Sequence, residues 1–397
     1  MKVGAGLSIL PMATEAAGEA AGSALRALEG RPVDLAILFA SPHHAPAAED
    51  LLRVVHEIAD PVGLIGCVAE AVVGGRKEIE EGPAVPVWLG SLPGGAETFH
   101  QEFVRTQSGG AFGGWRFEPG DTAHPDVHLM VCDPLTFPVD LLCQHLNAHV
   151  PGALVMGGMA SGARAVGRNL LFHDRSVHEE GAVGARLAGA VEVRALVSQG
   201  CRPIGGPFVV TRAEGNLVME LGGKPPLERL REILASLAPP DRELASQGLH
   251  VGRVIDEYKA EHEVGDFLIR GLMGADPNSG ALAVGDEVEV GQTIRFHVRD
   301  AATADEELRT LLQGEAEGLR GTPAGAVLFT CNGRGRNLFT EPDHDAGLVS
   351  SMLGELPLAG FFCAGELGPV GGRNFVHGFT ASLAVFVERS DGSGRNG

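Results

Sequence analysis

Cysteine, glutamate, arginine, asparagine and histidine gather after four apolar runs of this 397-residue chain. Cys67 and Glu70 end P-V-G-L-I-G-C-V-A-E (61–70), and Arg76 and Glu78 follow its turn. Cys331, Asn332, Arg334 and Arg336 stand in C-N-G-R-G-R-N (331–337). Cys363, Glu366, Arg373, Asn374 and His377 stand in C-A-G-E-L-G-P-V-G-G-R-N-F-V-H-G (363–378). The fourth run ends at Gly157-Gly158 and leads to Asn169. Arg and Asn on a glycine loop suit carboxylate or phosphate recognition, because a guanidinium donates two parallel hydrogen bonds. G-R-G-R matches neither a Walker loop nor a dinucleotide fingerprint. Glu366 and His377 could hold an amine or exchange protons. The plainer readings are a solvated turn at 331–337, a Glu366–Arg373 ion pair and His377 at a strand end. A thiolate nucleophile needs a neighbouring histidine or helix N-terminus. Neither adjoins Cys67 or Cys363 in the sequence, so both read as core or pocket wall, and no catalytic residue is assigned. His43 and His44 sit at a strand tip with too few other ligands for a metal, and H-D-R-S-V-H-E-E (173–180) reads as a charged loop.

The elements that must position these residues follow from hydrophobic periodicity. Helices are expected over 14–28, capped by Thr14, and over 46–59, 137–147, 227–237 and 303–319, with another from Asp343, as its cap, to Leu356. Unbroken apolar runs predict buried strands at 34–41, 61–67, 126–132, 151–157, 325–331 and 357–363. A unit of strand, helix, proline-led strand, glycine turn and strand thus occurs three times. P-x5-C-x-x-E, written at 61–70 and at 357–366, marks the same strand of the first and third copies. In open α/β sheets ligands bind beyond strand ends, so the glycine loops are expected to line one cleft. The expected class is α/β or α+β: repeated modules forming mixed sheets covered by helices. Two sheets face to face, in four layers with pseudo-twofold symmetry, would suit such modules. The stretch G-G-K-P-P (222–226) places a boundary between domains 1–215 and 216–388, with a disordered tail at 389–397.

The formal net charge of −20 opposes phosphate backbones and so argues against nucleic-acid binding. No apolar stretch is long enough to span a membrane, and the N-terminus reads as a strand, not a signal peptide. Six scattered cysteines without C-x-x-C indicate free thiols in a reducing cytoplasm. With aromatics at 5% and 57 glycines, the core must be closely packed Ala, Val and Leu.

Four stretches together carry a family resemblance. L-I-G-C-V-A-E-A-V-V-G-G-R-K-E-I-E-E-G (64–82) resembles the N-terminal part of FIST domains. V-R-D-A-A-T-A-D-E-E-L (298–308), F-T-C-N-G-R-G-R-N-L-F (329–339) and G-F-F-C-A-G-E-L-G-P-V-G-G-R-N-F-V-H-G-F-T-A-S (360–382) resemble the C-terminal part. The resemblance covers about 5–388 and implies paired FIST N and FIST C domains that sense small ligands such as amino acids. It also implies a signalling protein partner, since no output domain is recognised here. Some bacterial members look like haem-binding sensors of nitric oxide. No cofactor is expected here, C-x-x-C-H being absent, although a noncovalent haem would need only one axial histidine. The expected reading is a cytoplasmic small-ligand sensor, an enzyme being the less favoured class. The alternatives are a cysteine- or Glu/His-dependent enzyme, a haem sensor and an interaction scaffold. Oligomeric state has no sequence signal.

Overall fold

A computed structural model describes residues 1–106, 109–114, 126–187, 191–259, 261–262, 265–319 and 323–388; the expected tail at 389–397 lies outside them. Two compact units emerge. One comprises Met1–Val197, Arg309–Val376 and the chain from Thr380; the other comprises Ser198–Leu308 and His377–Phe379.

The first unit contains the threefold repeat. Module one runs through strand Leu35–Ala40, helix Ala48–Ala59, strand Gly63–Val68, hairpin Val72–Gly74/Lys77–Ile79 and strand Val85–Ser91. Module two repeats this with Val127–Cys132, helix Val139–His149, Leu154–Met159, hairpin Leu171–His173/Ser176–His178 and Ala182–Leu187. Module three has Gly325–Cys331, helix His344–Leu353, Leu358–Cys363, hairpin Glu366–Val370/Arg373–His377 and Ala381–Val387. In each, the first two long strands are parallel and the last returns antiparallel to the first.

The hairpins do not stay with their own modules. Hairpin one extends the sheet of module three, pairing Val72 with Phe361. Hairpin three extends module two, pairing Glu366 with Gly158. Hairpin two extends module one, pairing Leu171 with Cys67. Each module thus leaves one strand edge open and another module's hairpin covers it, closing a cycle of three. This corrects the pseudo-twofold, four-layer expectation. The inner faces of all three sheets share one core, with Phe39, Cys67 and Trp88 meeting Val131 and Met156 and meeting Phe329, Phe361 and Phe386. Phe361 lies 4.8 Å from Phe39 and 5.8 Å from Phe329, ring to ring. Two turns read from sequence as glycine loops, 72–78 and 366–377, are these hairpins, and so is the supposed charged loop at 173–180.

The module strands are equivalent, but their shared letters are not. Gly66, Gly157 and Gly360 occupy the same place, each lying against a backbone oxygen of its parallel partner, Leu38, Met130 and Leu328. Cys67 follows its glycine directly, whereas Cys363 lies three residues past Gly360. The cysteines of the two decapeptides are therefore two positions out of register, and the match between them is one of composition.

Helices cover the outer faces. Ala16, Ala17, Ala20, Ala21 and Ala24 of helix Ala13–Ala27 are buried. They approach strand Lys2–Ser8 so closely that a Cβ on Gly4 or Gly6 would fall 2.0 or 2.2 Å from a helix carbonyl oxygen. The helix begins after Met12, without the expected Thr14 cap. Asp343 precedes its helix but likewise makes no cap bond. Its carboxylate instead accepts from Glu78 N at 2.8 Å and Lys77 Nζ at 2.7 Å.

The second unit is a closed barrel in the order Cys201–Glu214, Leu217–Leu221, Leu282–Val284, Phe267–Ala275, His250–Val254 and Thr293–Arg299. Ile204, Val210, Val251 and Phe296 belong to its core, together with Leu230 and Ile233 of helix Pro226–Ser236 and Ala245 of helix Pro239–Gln247.

Candidate functional site

Gly325–Cys331 and Leu358–Cys363 end side by side, with Cys331 opposite Cys363. Beyond Cys331 the chain must turn sharply to enter helix His344–Leu353. Asn332 N donates to Cys363 O at 2.9 Å, and Arg334 N to Cys331 O at 2.8 Å. Gly335 supplies the left-handed conformation at φ 54°, where a Cβ would also strike Glu80 and Phe362. Asn337 Nδ2 donates to Asn332 O at 3.0 Å. Glu80, from just past hairpin one, accepts from Arg336 N at 3.1 Å.

This turn sends Arg334 inward, where it is fully buried. Its Nε and Nη2 donate to the two Asp345 carboxylate oxygens at 2.7 and 2.8 Å. Thr330 Oγ1 also donates to Asp345, at 2.8 Å. The guanidinium lies 5.2 Å from the Phe339 ring, which stacks on His344 at 3.4 Å. Burial opposes ionisation of Asp345, but the charge and hydrogen bonds of Arg334 override it and hold the carboxyl well below the usual range.

Glu366 behaves oppositely. Burial pushes it up to about 8, although Thr380, Arg334 and Cys331 all pull it down. Its Oε2 accepts from Thr380 N at 3.0 Å and Oγ1 at 2.7 Å. At pH 7 it is mainly a neutral carboxylic acid. Glu78 is also raised, by burial and then by the Asp345 charge, while its Oε1 accepts from Ala346 N at 2.9 Å. Cys67 and Cys363 are raised well above an ordinary thiol, chiefly by burial. Both are therefore poor nucleophiles at neutral pH.

A group held neutral in the fold binds protons better there than in the unfolded chain. Stability should therefore fall as pH rises from the unfolded value of 4.5 through about 8. Glu366→Gln is expected to flatten that decline in a series of urea melts between pH 5 and 9. An unchanged slope would place the titrating group elsewhere.

The structure thus brings Asn332, Arg334, Arg336, Cys363 and Glu366 to one strand end, and Cys67 belongs with Cys363 to the shared core. The others take different places. Glu70 is half-exposed, 3.8 Å from Arg164, and its N donates to Ser161 Oγ. Asn374 is buried and clamps module two by accepting from Val155 N and donating to Ala153 O. Arg373 is exposed over Phe375, and His377 is buried. His44 is buried in the turn Pro42–Ala47, with its pKa lowered by burial. Asp345, Thr330, Thr380, Glu78 and Glu80 complete the site without having been singled out as ligand residues. Glu78 stands out in the sequence after its turn, and Asp345 has a local cue as an acidic residue opening a helix.

The comparisons with known proteins agree along the length of the chain. The FIST N domain matches residues 34–224 and the FIST C domain residues 226–369. The chain belongs to the FIST family. An uncharacterized protein of Mycobacterium tuberculosis is 53% identical over 388 residues, covering 98% of this chain and all of the relative. An uncharacterized protein of Mycobacterium bovis is 51% identical over 388 residues, covering 98% of this chain and 99% of the relative. FIST domains are associated with sensory small-ligand binding in signal transduction. The strand-end site draws on both family domains, with Cys67, Glu78 and Glu80 from FIST N and Cys331, Arg334, Asp345, Cys363 and Glu366 from FIST C. Among the described residues no helix is long and apolar enough to cross a membrane.

Proposed function

We propose that this FIST protein is a small-ligand sensor whose ligand docks on the Asn332–Asn337 loop at the strand end of module three. The observation that carries the reading is the buried Arg334–Asp345 pair beneath a glycine loop, flanked by a neutral Glu366. Desolvating such groups is costly. An arrangement of this kind is better explained by a polar site than by packing.

The ligand chemistry differs from a simple amino-acid clamp. Asp345 occupies two arms of the Arg334 fork, so carboxylate recognition falls to Arg336, 60% exposed at its side chain, and to Asn332. Neutral Glu366 serves as a hydrogen-bonding acid and becomes a counter-charge only if a ligand ammonium draws its pKa down. Small metabolites carrying a carboxylate, amino acids among them, fit this set. Ligand contact with the loop would pass through Glu80 and the exchanged hairpin to module one, and from there to a separate signalling partner. None of the six cysteines is in a disulfide and all six are buried, in keeping with a cytoplasmic setting.

Thermal shift of the purified protein against amino acids, small organic acids, nucleotides and hemin tests this. A native-state ligand adds about 2.7 kcal/mol at hundredfold excess over Kd. A carboxylate class should shift the wild type, and Arg336→Ala with Asn332→Ala should lose most of that shift. No shift across the panel, or a shift that survives in the double variant, sinks the reading.

A further inference from the structure

Hairpin two carries a cluster of histidines that the strand-end site does not use. Leu171 is opposite His178, and His173 lies two residues along the same face. That face meets His100 of strand Ala96–Thr106. The His100 and His178 rings stack at 3.8 Å and 19°, with His173 at 5.8 Å from His178 and 6.4 Å from His100. Nε2 of His173 and Nε2 of His178 are buried without a hydrogen-bond partner. Among the described residues no three donors converge as a metal ion requires. Rings lying face to face are suited to sensing protons instead.

We propose that hairpin two is a proton-released arm, which mildly acidic pH loosens from strand Ala96–Thr106 by placing positive charge on the stacked histidines. This is independent of the ligand reading above. Adjacent imidazolium rings repel, and each must be desolvated to remain packed. Counter-charges lie around the cluster. Glu102 lies 4.0 Å from His100, whose Nε2 is 3.1 Å from Glu180 O. Asp174 lies 3.5 Å from His173 but also accepts from Leu64 N and Thr98 Oγ1, both at 3.0 Å. Glu49, Asp50 and Glu179 line a groove together with His178. Burial nevertheless outweighs Asp174 at His173 and Glu102 at His178 and lowers both histidines, with His100 adding to the effect.

A histidine whose folded pKa is depressed binds protons better once the contact opens, so the contact is full above pH 6.5 and weakens as pH falls below it. The arm also walls a groove of about 640 Å³ through Leu170, Val177, His178 and Glu179, facing Ala45–Asp50. Acid release would open that groove.

Hydrogen exchange read by mass spectrometry on the whole protein at pH 7.5 and 5.5 decides it. After correction for intrinsic rates, amides 171–178 should lose protection severalfold at pH 5.5, while strand Leu35–Ala40 keeps its own. The His100→Phe, His178→Phe variant, which stacks without titrating at those two positions, should respond less, and so should His173→Gln. Wild-type protection that does not change with pH overturns the proposal, as does an equal loss in the phenylalanine variant. If that variant fails to fold at pH 7.5, an undiminished response in His173→Gln overturns it as well.

Discussion

Arg334→Ala is expected to lose about 3–5 kcal/mol of unfolding free energy, the usual cost of removing one partner from a buried ion pair. Asp345 would be left fully buried with Thr330 and His344 but without its guanidinium, and it could respond only by taking a proton. Asp345→Asn should be similarly damaging, because it strands the Arg334 charge. Arg334→Met with Asp345→Leu removes both charges and keeps volume, and should recover much of the loss, since well-packed apolar replacements of buried pairs are often neutral. Urea melts of the three variants form the check. A single-variant loss below about 1 kcal/mol would mean that the pair is solvated like a surface ion pair. Losing Arg334 also removes a charge that lowers Glu366, so the stability decline that starts near the unfolded value of 4.5 should continue to higher pH in Arg334→Ala than in the wild type.

Gly66→Ala should cost about 3 kcal/mol or more, at the upper end of overpacking penalties. Its Cβ would stand 1.7 Å from Leu38 O, in the middle of a parallel pair that cannot part without losing ladder hydrogen bonds. The same substitution at Gly157 and Gly360 meets Met130 O at 1.8 Å and Leu328 O at 2.0 Å. If the modules are equivalent, the three single variants should lose similar stability. Gly371, on the exposed turn of hairpin three with nothing near its Cβ position, shows only the backbone effect of its φ of 58°. Thermal melts of all four compare them. A mild Gly66→Ala beside a severe Gly360→Ala would undo the equivalence of the module strands.

Local pattern in this chain was enough for the three modules, because strand and helix periodicity act within a dozen residues. The buried strands, the alanine-faced helix and the family resemblance were all legible in that way. So was the turn at 331–337, through its Asn and Gly residues. Hairpin exchange was not legible. Val72–Gly74 and Leu171–His173 are three residues long, and nothing in such short strands states whose edge they will cover. That is decided by which open edge lies within reach once the modules pack. Barrel closure likewise depends on register between distant strands. The same limit applied at the site. Arg334 read as a ligand grip because sequence cannot show that Asp345, one helix entry away, turns back to meet it. The out-of-register cysteines of the two decapeptides make the point most simply. Composition placed them on equivalent strands, but only the tertiary structure decided which residue faces which, because register is fixed by backbone contact between neighbouring strands and not by the letters along one of them.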